Sequence, residues 1–153
     1  MILFQPSSLD ISQIRDKYHL AIYDEKIANA LDAELGKLEG DESIFQGYKG
    51  AVKMLLAKFA FMPNTKYALF TNGKTLLEKA VLASPSDLEL RYLRLSIQQN
   101  SPSFLGYKSD IETDKQLLLH GVSDLKDSEL KVLIKSYLIS SCNLTEAERQ
   151  LLK

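Results

Sequence analysis

The sequence predicts an all-α protein of about eight helices, arranged as stacked antiparallel hairpins in a tetratricopeptide-like superhelix. Three observations carry the prediction. Apolar residues recur at helical spacing along the chain, the seven glycines and four prolines fall mostly where one periodic segment gives way to the next, and helix-start signals recur at those breaks. With 153 residues, 45% of them hydrophobic and 25% charged, the chain fits a single helical domain over 1–153 whose core needs neither disulfide nor metal.

The first helix is expected from about Ser8 to Ala21 and the second from Asp24 to Leu38, with Gly40-Asp41 as the turn. A third, from Glu42 to Met62, stops at Pro63, because proline lacks the helical donor and restricts the residue before it. Asn64 caps a fourth that runs to Ala83. Ser86 with Glu89, Ser109 with Glu112 and Thr145 with Glu148 all have capping-box spacing, in which hydroxyl and carboxylate each satisfy a backbone N–H at a helix start. They place the fifth helix at Asp87–Gln99, the sixth at Asp110–His120 ending at Gly121, and the eighth at Glu146–Leu152. The seventh covers Lys126–Ser140. In the fifth, Leu88, Leu90 and Tyr92 followed by Leu93, Leu95 and Ile97 nearly alternate as in a strand, but the Leu, Glu and Arg content favours helix. No sheet is expected beyond a short pairing at the first few residues.

Apolar stripes at i, i+3, i+7 recur in the odd-numbered helices: Ile11, Ile14, Tyr18; Phe45, Tyr48, Val52; Leu90, Leu93, Ile97; Leu130, Leu133, Tyr137. Leu93 and Tyr48, each the middle of its triplet, are expected in the core. Such spacing suits two-helix units, each covering the face that its neighbour exposes. Lys79-Ala80-Val81 with Pro85 after it resembles the end of a tetratricopeptide repeat, where a small residue permits close helix approach and the proline closes the turn. The resemblance is partial, since the chain has no tryptophan and no first helix with the full repeat pattern. The stretch from Arg91 to Tyr107, continuing to Ile111 and Asp114-Lys115, is similar to an uncharacterised family of small bacterial all-helical proteins. That resemblance implies a helical fold and no activity.

The formal net charge of -1 gives no electrostatic case for nucleic acid. The start Met1–Pro6 is too short in apolar residues for a secretory leader, and no apolar run approaches the length that spans a bilayer. The lone Cys142 follows the apolar Tyr137, Leu138 and Ile139 and reads as a buried structural thiol, which together with the absent leader points to a cytoplasmic protein. His19 and His120 are too few and too distant to imply zinc, and Thr71-Asn72-Gly73-Lys74-Thr75 lacks the spacing of a phosphate loop. Asp110, Glu112 and Asp114 fall in the first turns of the sixth helix, where their charge complements the helix dipole. No metal, cofactor or catalytic residue is assigned.

Binding chemistry is sought on the fifth helix. On a helical wheel Leu88, Tyr92 and Leu95 oppose Leu90, Leu93 and Ile97, so the helix is sandwiched and its polar strips point sideways. One strip holds Arg91, Arg94 and Gln98. The connection that follows, from Asn100 to Lys108, is unusually apolar, with Phe104, Leu105 and Tyr107. It either folds back over the core or walls a groove. The groove reading joins Arg91, Arg94, Gln98, Asn100 and Tyr107 as a binding surface for a protein or peptide with an acidic stretch, because guanidinium groups select planar carboxylates bidentately. The alternatives are arginines paired with carboxylates of a neighbouring helix, a small-ligand pocket or enzyme using Arg91, Arg94, Tyr107 and Asp110, and a structural homo-oligomer.

Overall fold

Carboxylates, more than hydroxyls, start the helices of this chain. In the computed structural model, which describes residues 9–153, Asp10 closes a capping box with Gln13 at the start of α1 (Ile11–Ala21), and the Asp24 carboxylate accepts from the backbone of Lys26 and Ile27 at the start of α2 (Glu25–Gly36). α3 covers Ser43–Phe59 and α4 Pro63–Ala83. Asp87 caps α5 (Leu88–Asn100) through the N–H groups of Glu89 and Leu90, so the expected Ser86–Glu89 box does not form: the Asp87 carboxylate takes the Glu89 N–H that the Ser86 hydroxyl would have used. α6 (Ile111–Gly121) begins at Asp110 without a side-chain cap, α7 (Ser128–Ser141) is capped by Asp127, and only Thr145 with Glu148 completes its box, at α8 (Glu146–Gln150). Short 3-10 turns occupy Ser103–Leu105 and Val122–Asp124.

The all-α expectation with about eight helices is met: eight α-helices and no strand occur among the described residues. Pro63 is the first residue of α4 rather than a stop ahead of it, since the first helical turn has no donor for proline to lose. The expected leading turn at Ser8, the pairing at the first few residues and the leader reading of Met1–Pro6 lie outside the described residues. No helix described here is long and apolar enough to cross a membrane.

The chain divides into two compact units, Met1–Leu76 and Leu77–Lys153, with the boundary inside α4. In the first, α1 packs on α2, α2 on α3, and α1 also touches α3. Ile14, Tyr18, Leu31, Leu35, Tyr48 and Val52 form its core, with the Tyr18 and Tyr48 rings edge to face at 5.6 Å. Gly73 of α4 lies against α3: a Cβ there would stand 2.5 Å from the Gly50 carbonyl oxygen and 2.9 Å from the Met54 nitrogen. The glycine thus belongs to a helix crossing. In the second unit α5 packs on α6, and Leu90, Leu93 and Leu95 are all buried, so α5 is covered on opposite sides as its pattern requires. Leu93 and Tyr48 are both fully buried.

Gly73→Ala sets helix propensity against sterics. Alanine favours the helix by about 1 kcal/mol over glycine, but its methyl meets backbone atoms that cannot rotate away, and overpacking of this kind costs about 1–3 kcal/mol. The expected result is a net loss of stability, read as a lower urea midpoint; an unchanged or raised midpoint would show that α3 and α4 do not cross this closely.

Candidate functional site

Two places stand out: the polar strip of α5 in the second unit, and the exposed end of the α3–α4 hairpin in the first.

Arg91 and Arg94 lie three residues apart on α5, and Asp110 and Asp114 four apart at the start of α6, so each pair shares a helix face. The two faces meet. Asp114 has no exposed surface and receives a fork from Arg94, Nε to Oδ2 at 2.7 Å and Nη2 to Oδ1 at 2.8 Å, while Arg91 Nη1 donates to Oδ1 at 3.0 Å. Further donors are also engaged. Arg91 Nε reaches the Pro85 carbonyl at 2.9 Å, Arg94 Nη1 reaches Glu78 Oε2 at 2.9 Å, and Asp110 Oδ1 stands 3.7 Å from Arg94 Nη2. Burial alone would lower the Arg94 pKa, but the hydrogen bonds and charge of Asp114, with Glu78 and Asp110, raise it overall. Burial likewise opposes ionisation of Asp110, yet the Gln98 hydrogen bond and the Arg94 charge hold its pKa below the usual value.

Gln98 and Tyr107 complete the cluster. The fully buried Gln98 donates to Asp110 Oδ2 at 2.9 Å and accepts from the Asp110 N–H at 3.1 Å. The Tyr107 hydroxyl donates to Glu78 Oε1. Gly106, at φ 63°, turns the loop back so that Tyr107 is buried, and the Lys108 ammonium donates to the Gln98 carbonyl at 3.1 Å. Of the five residues expected to line a groove, Arg91, Arg94, Gln98 and Tyr107 are brought together. Asn100 is exposed and turned to its own helix, donating to the Ser96 carbonyl at 2.8 Å. The acidic ligand that the arginines select is here supplied by the chain itself, as Asp114, Glu78 and Asp110. Asp114 therefore does more than face a helix dipole. The sequence signal that would have found this is two arginines at i, i+3 and two aspartates at i, i+4 on consecutive helices.

Cys142 is buried, as expected, and burial raises its pKa despite the hydrogen bond from Gln99 Nε2 at 3.5 Å. The Tyr137 hydroxyl donates to Gln99 Oε1, and the Tyr137 and Tyr92 rings meet edge to face at 5.2 Å. His19 and His120 each turn one ring nitrogen to the carbonyl four residues back. Among the described residues no group of three His, Cys, Asp or Glu is placed to hold a metal ion. Two open surface depressions in the second unit, one beside Gln116, Leu117 and His120 and one beside Leu88, Gly121 and Leu130, do not include the arginine cluster.

The first unit has the opposite character at its α3–α4 end. Residues 61–68 are all exposed, Phe61 at 91%, with Met62 and Tyr67 beside it in the sequence. The Lys58 ammonium donates to the Ile22 carbonyl at 2.9 Å, which brings the α1–α2 turn, with the exposed Leu20 and Tyr23, to the same end. This surface was missed in the sequence because aromatic residues near a helix end read as core. The available signal is charge: lysines 49, 53, 58, 66 and 74 lie between Glu42 and Glu78 with no acidic residue among them.

No family model matches the chain, and neither the curated proteins nor the solved structures compared with it yield a match.

Two outcomes are expected. Arg94→Gln leaves Asp114 short of its main partner, and breaking a buried pair costs about 3–5 kcal/mol; a denaturation midpoint unchanged in Arg94→Gln would show that the guanidinium faces water. Burial raises the phenols of Tyr107 and Tyr137 and, with the Glu89 charge adding, pushes Tyr92 up to about 12. Folding thus favours neutral phenols: stability is whole below the unfolded value of about 10 and falls as pH rises from there through the folded values. Absorbance titration of the tyrosines should show a fraction that ionises only together with alkaline unfolding; titration of all of them near the free value in the folded protein would contradict the burial.

Proposed function

We propose that the chain is an interaction module that docks a protein or peptide partner through the α3–α4 end of its first unit. The observation that carries this reading is the run of exposed residues at 61–68, with Phe61, Met62 and Tyr67 in it and Leu20 and Tyr23 at the same end. Large apolar residues exposed singly need no explanation, but several gathered at one end of a hairpin mark a contact surface. Aromatic and methionine side chains are also the types enriched where partners bury most of their binding energy. The sequential packing of α1, α2 and α3 supports a tetratricopeptide-like arrangement in this unit, and helical arrays of that kind present surfaces to protein segments. In the second unit the arginine strip acts as the internal tie that holds α5, α6 and the loop at 101–110, and leaves docking to the first.

A random-peptide phage library selected on the intact chain tests the reading. Phe61→Ser with Tyr67→Ser should weaken the selected peptides by about tenfold or more while the unfolding midpoint stays within about 0.5 kcal/mol of the parent, as for other surface changes. Phe104→Ser, an 87% exposed aromatic of the second unit, should change nothing. Peptides that bind equally well to both variants would place docking elsewhere.

A further inference from the structure

The apolar end of the hairpin is also the basic end, and this says what kind of partner fits it. The stretch between Glu42 and Glu78 carries five lysines and no carboxylate in a chain of net charge -1. Lys49 and Lys53 are half-buried: Lys49 donates to the Leu38 carbonyl and Lys53 pairs with Asp32 at 3.3 Å. Lys58 and Lys66 stand at the exposed end. Among the described residues their ammonium groups meet carbonyl oxygens, of Ile22 and Lys58, and no carboxylate. Lys66 lies in the first turn of α4, whose backbone N–H groups already give that end a positive potential, and no acidic residue is present there to offset either charge. Side chains placed for stability alone would have the opposite sign.

Resting on the docking reading above, we infer that the partner is a protein segment that is both acidic and apolar, with its carboxylates on Lys58, Lys66 and the start of α4 and its apolar residues on Phe61 and Tyr67. Both signs meet at Lys58, because the α1–α2 turn that it holds carries Asp24 and Glu25 immediately after Tyr23, whereas the first turn of α4 with Lys66 has no acidic residue. A flat anionic lipid surface meets both signs at once. A peptide can centre its carboxylates on Lys66 and the start of α4 and leave the acidic turn beside Lys58 to its apolar residues.

The test uses the intact chain and the peptides selected above. Asp and Glu beside Leu and Phe should dominate the selected sequences. Affinity should fall about tenfold in Lys66→Glu and less in Lys58→Gln, and it should weaken at high salt. Lys66→Glu disturbs no packed residue, so it remains decisive if Lys58→Gln loosens the turn at Ile22. Peptides lost in Phe61→Ser but indifferent to Lys66→Glu and salt would keep the docking reading and overturn the acidic partner; peptides indifferent to all three would overturn both. Binding of the chain to phosphatidylserine vesicles, abolished by Lys66→Glu, would replace the protein segment with a lipid surface. A concentration-dependent increase in mass that Lys66→Glu abolishes would replace it with a second copy of the chain.

Discussion

A carboxylate with no water to solvate it must be met by cations, and the second unit is arranged around that requirement at Asp114. Arg94 fills both oxygens and Arg91 doubles one of them, which fixes the rotation of α5 against α6. The same Arg94 fork extends to Glu78, and Glu78 in turn accepts from Tyr107, so the end of α4 and the loop after α5 are tied to the same centre. A hydrophobic replacement of equal volume would give comparable stability. The ionic version adds direction: guanidinium and carboxylate are planar, and they fit in one register only. Sliding α5 by one turn would strand a buried charge, which penalises alternative packings more steeply than leucine against leucine does.

The first unit is held differently. Its core is mostly apolar, with Arg15 buried in it, the ion pairs Lys17–Glu34 and Lys53–Asp32 are partly exposed, and backbone lies close against backbone at Gly73 and Gly50. Exposed pairs of this kind contribute little, so packing sets the geometry. That packing stops short of the α3–α4 end. Polar residues would serve there if solvation were the only demand, and the chain instead places Phe61, Met62 and Tyr67 in water.

Helix count and type were legible because periodicity and breakers act locally. Leu93 and Tyr48 were legible as core for the same reason, whereas in α7 the middle of the triplet, Leu133, is half-buried and the core takes Leu130, Ile134 and Leu138. Cap identity was less so. Asp87 took the role expected of Ser86, because a capping box competes with a carboxylate one position away, and α6 starts at Asp110 with no side-chain cap, that carboxylate being held by Gln98 instead. The assembly of the arginine cluster was half legible. The wheel placed Arg91, Arg94 and Gln98 on one strip, but whether that strip meets solvent or a neighbour depends on which helix packs there, and Asp114 is twenty residues from Arg94. Loop direction was not legible at all: Tyr107 folds inward and Phe104 outward although both are aromatic residues of one short segment.

Net charge misleads in such a chain, because it averages over parts that differ. A value of -1 removes the case for a phosphate partner only if charge is evenly spread. Here it is not: the lysine-only stretch of α3 and α4 is balanced by acidic residues elsewhere. The count of available cations decides the matter more sharply than the total does. Binding a nucleic-acid backbone takes on the order of six to ten phosphate contacts to gain useful affinity, and with Lys49 and Lys53 half-buried the exposed end offers Lys58 and Lys66. Two cations beside exposed Phe, Met and Tyr side chains suit a ligand with few charges and much apolar surface. Among biological polymers that combination is the one carried by the acidic, apolar protein segment proposed above.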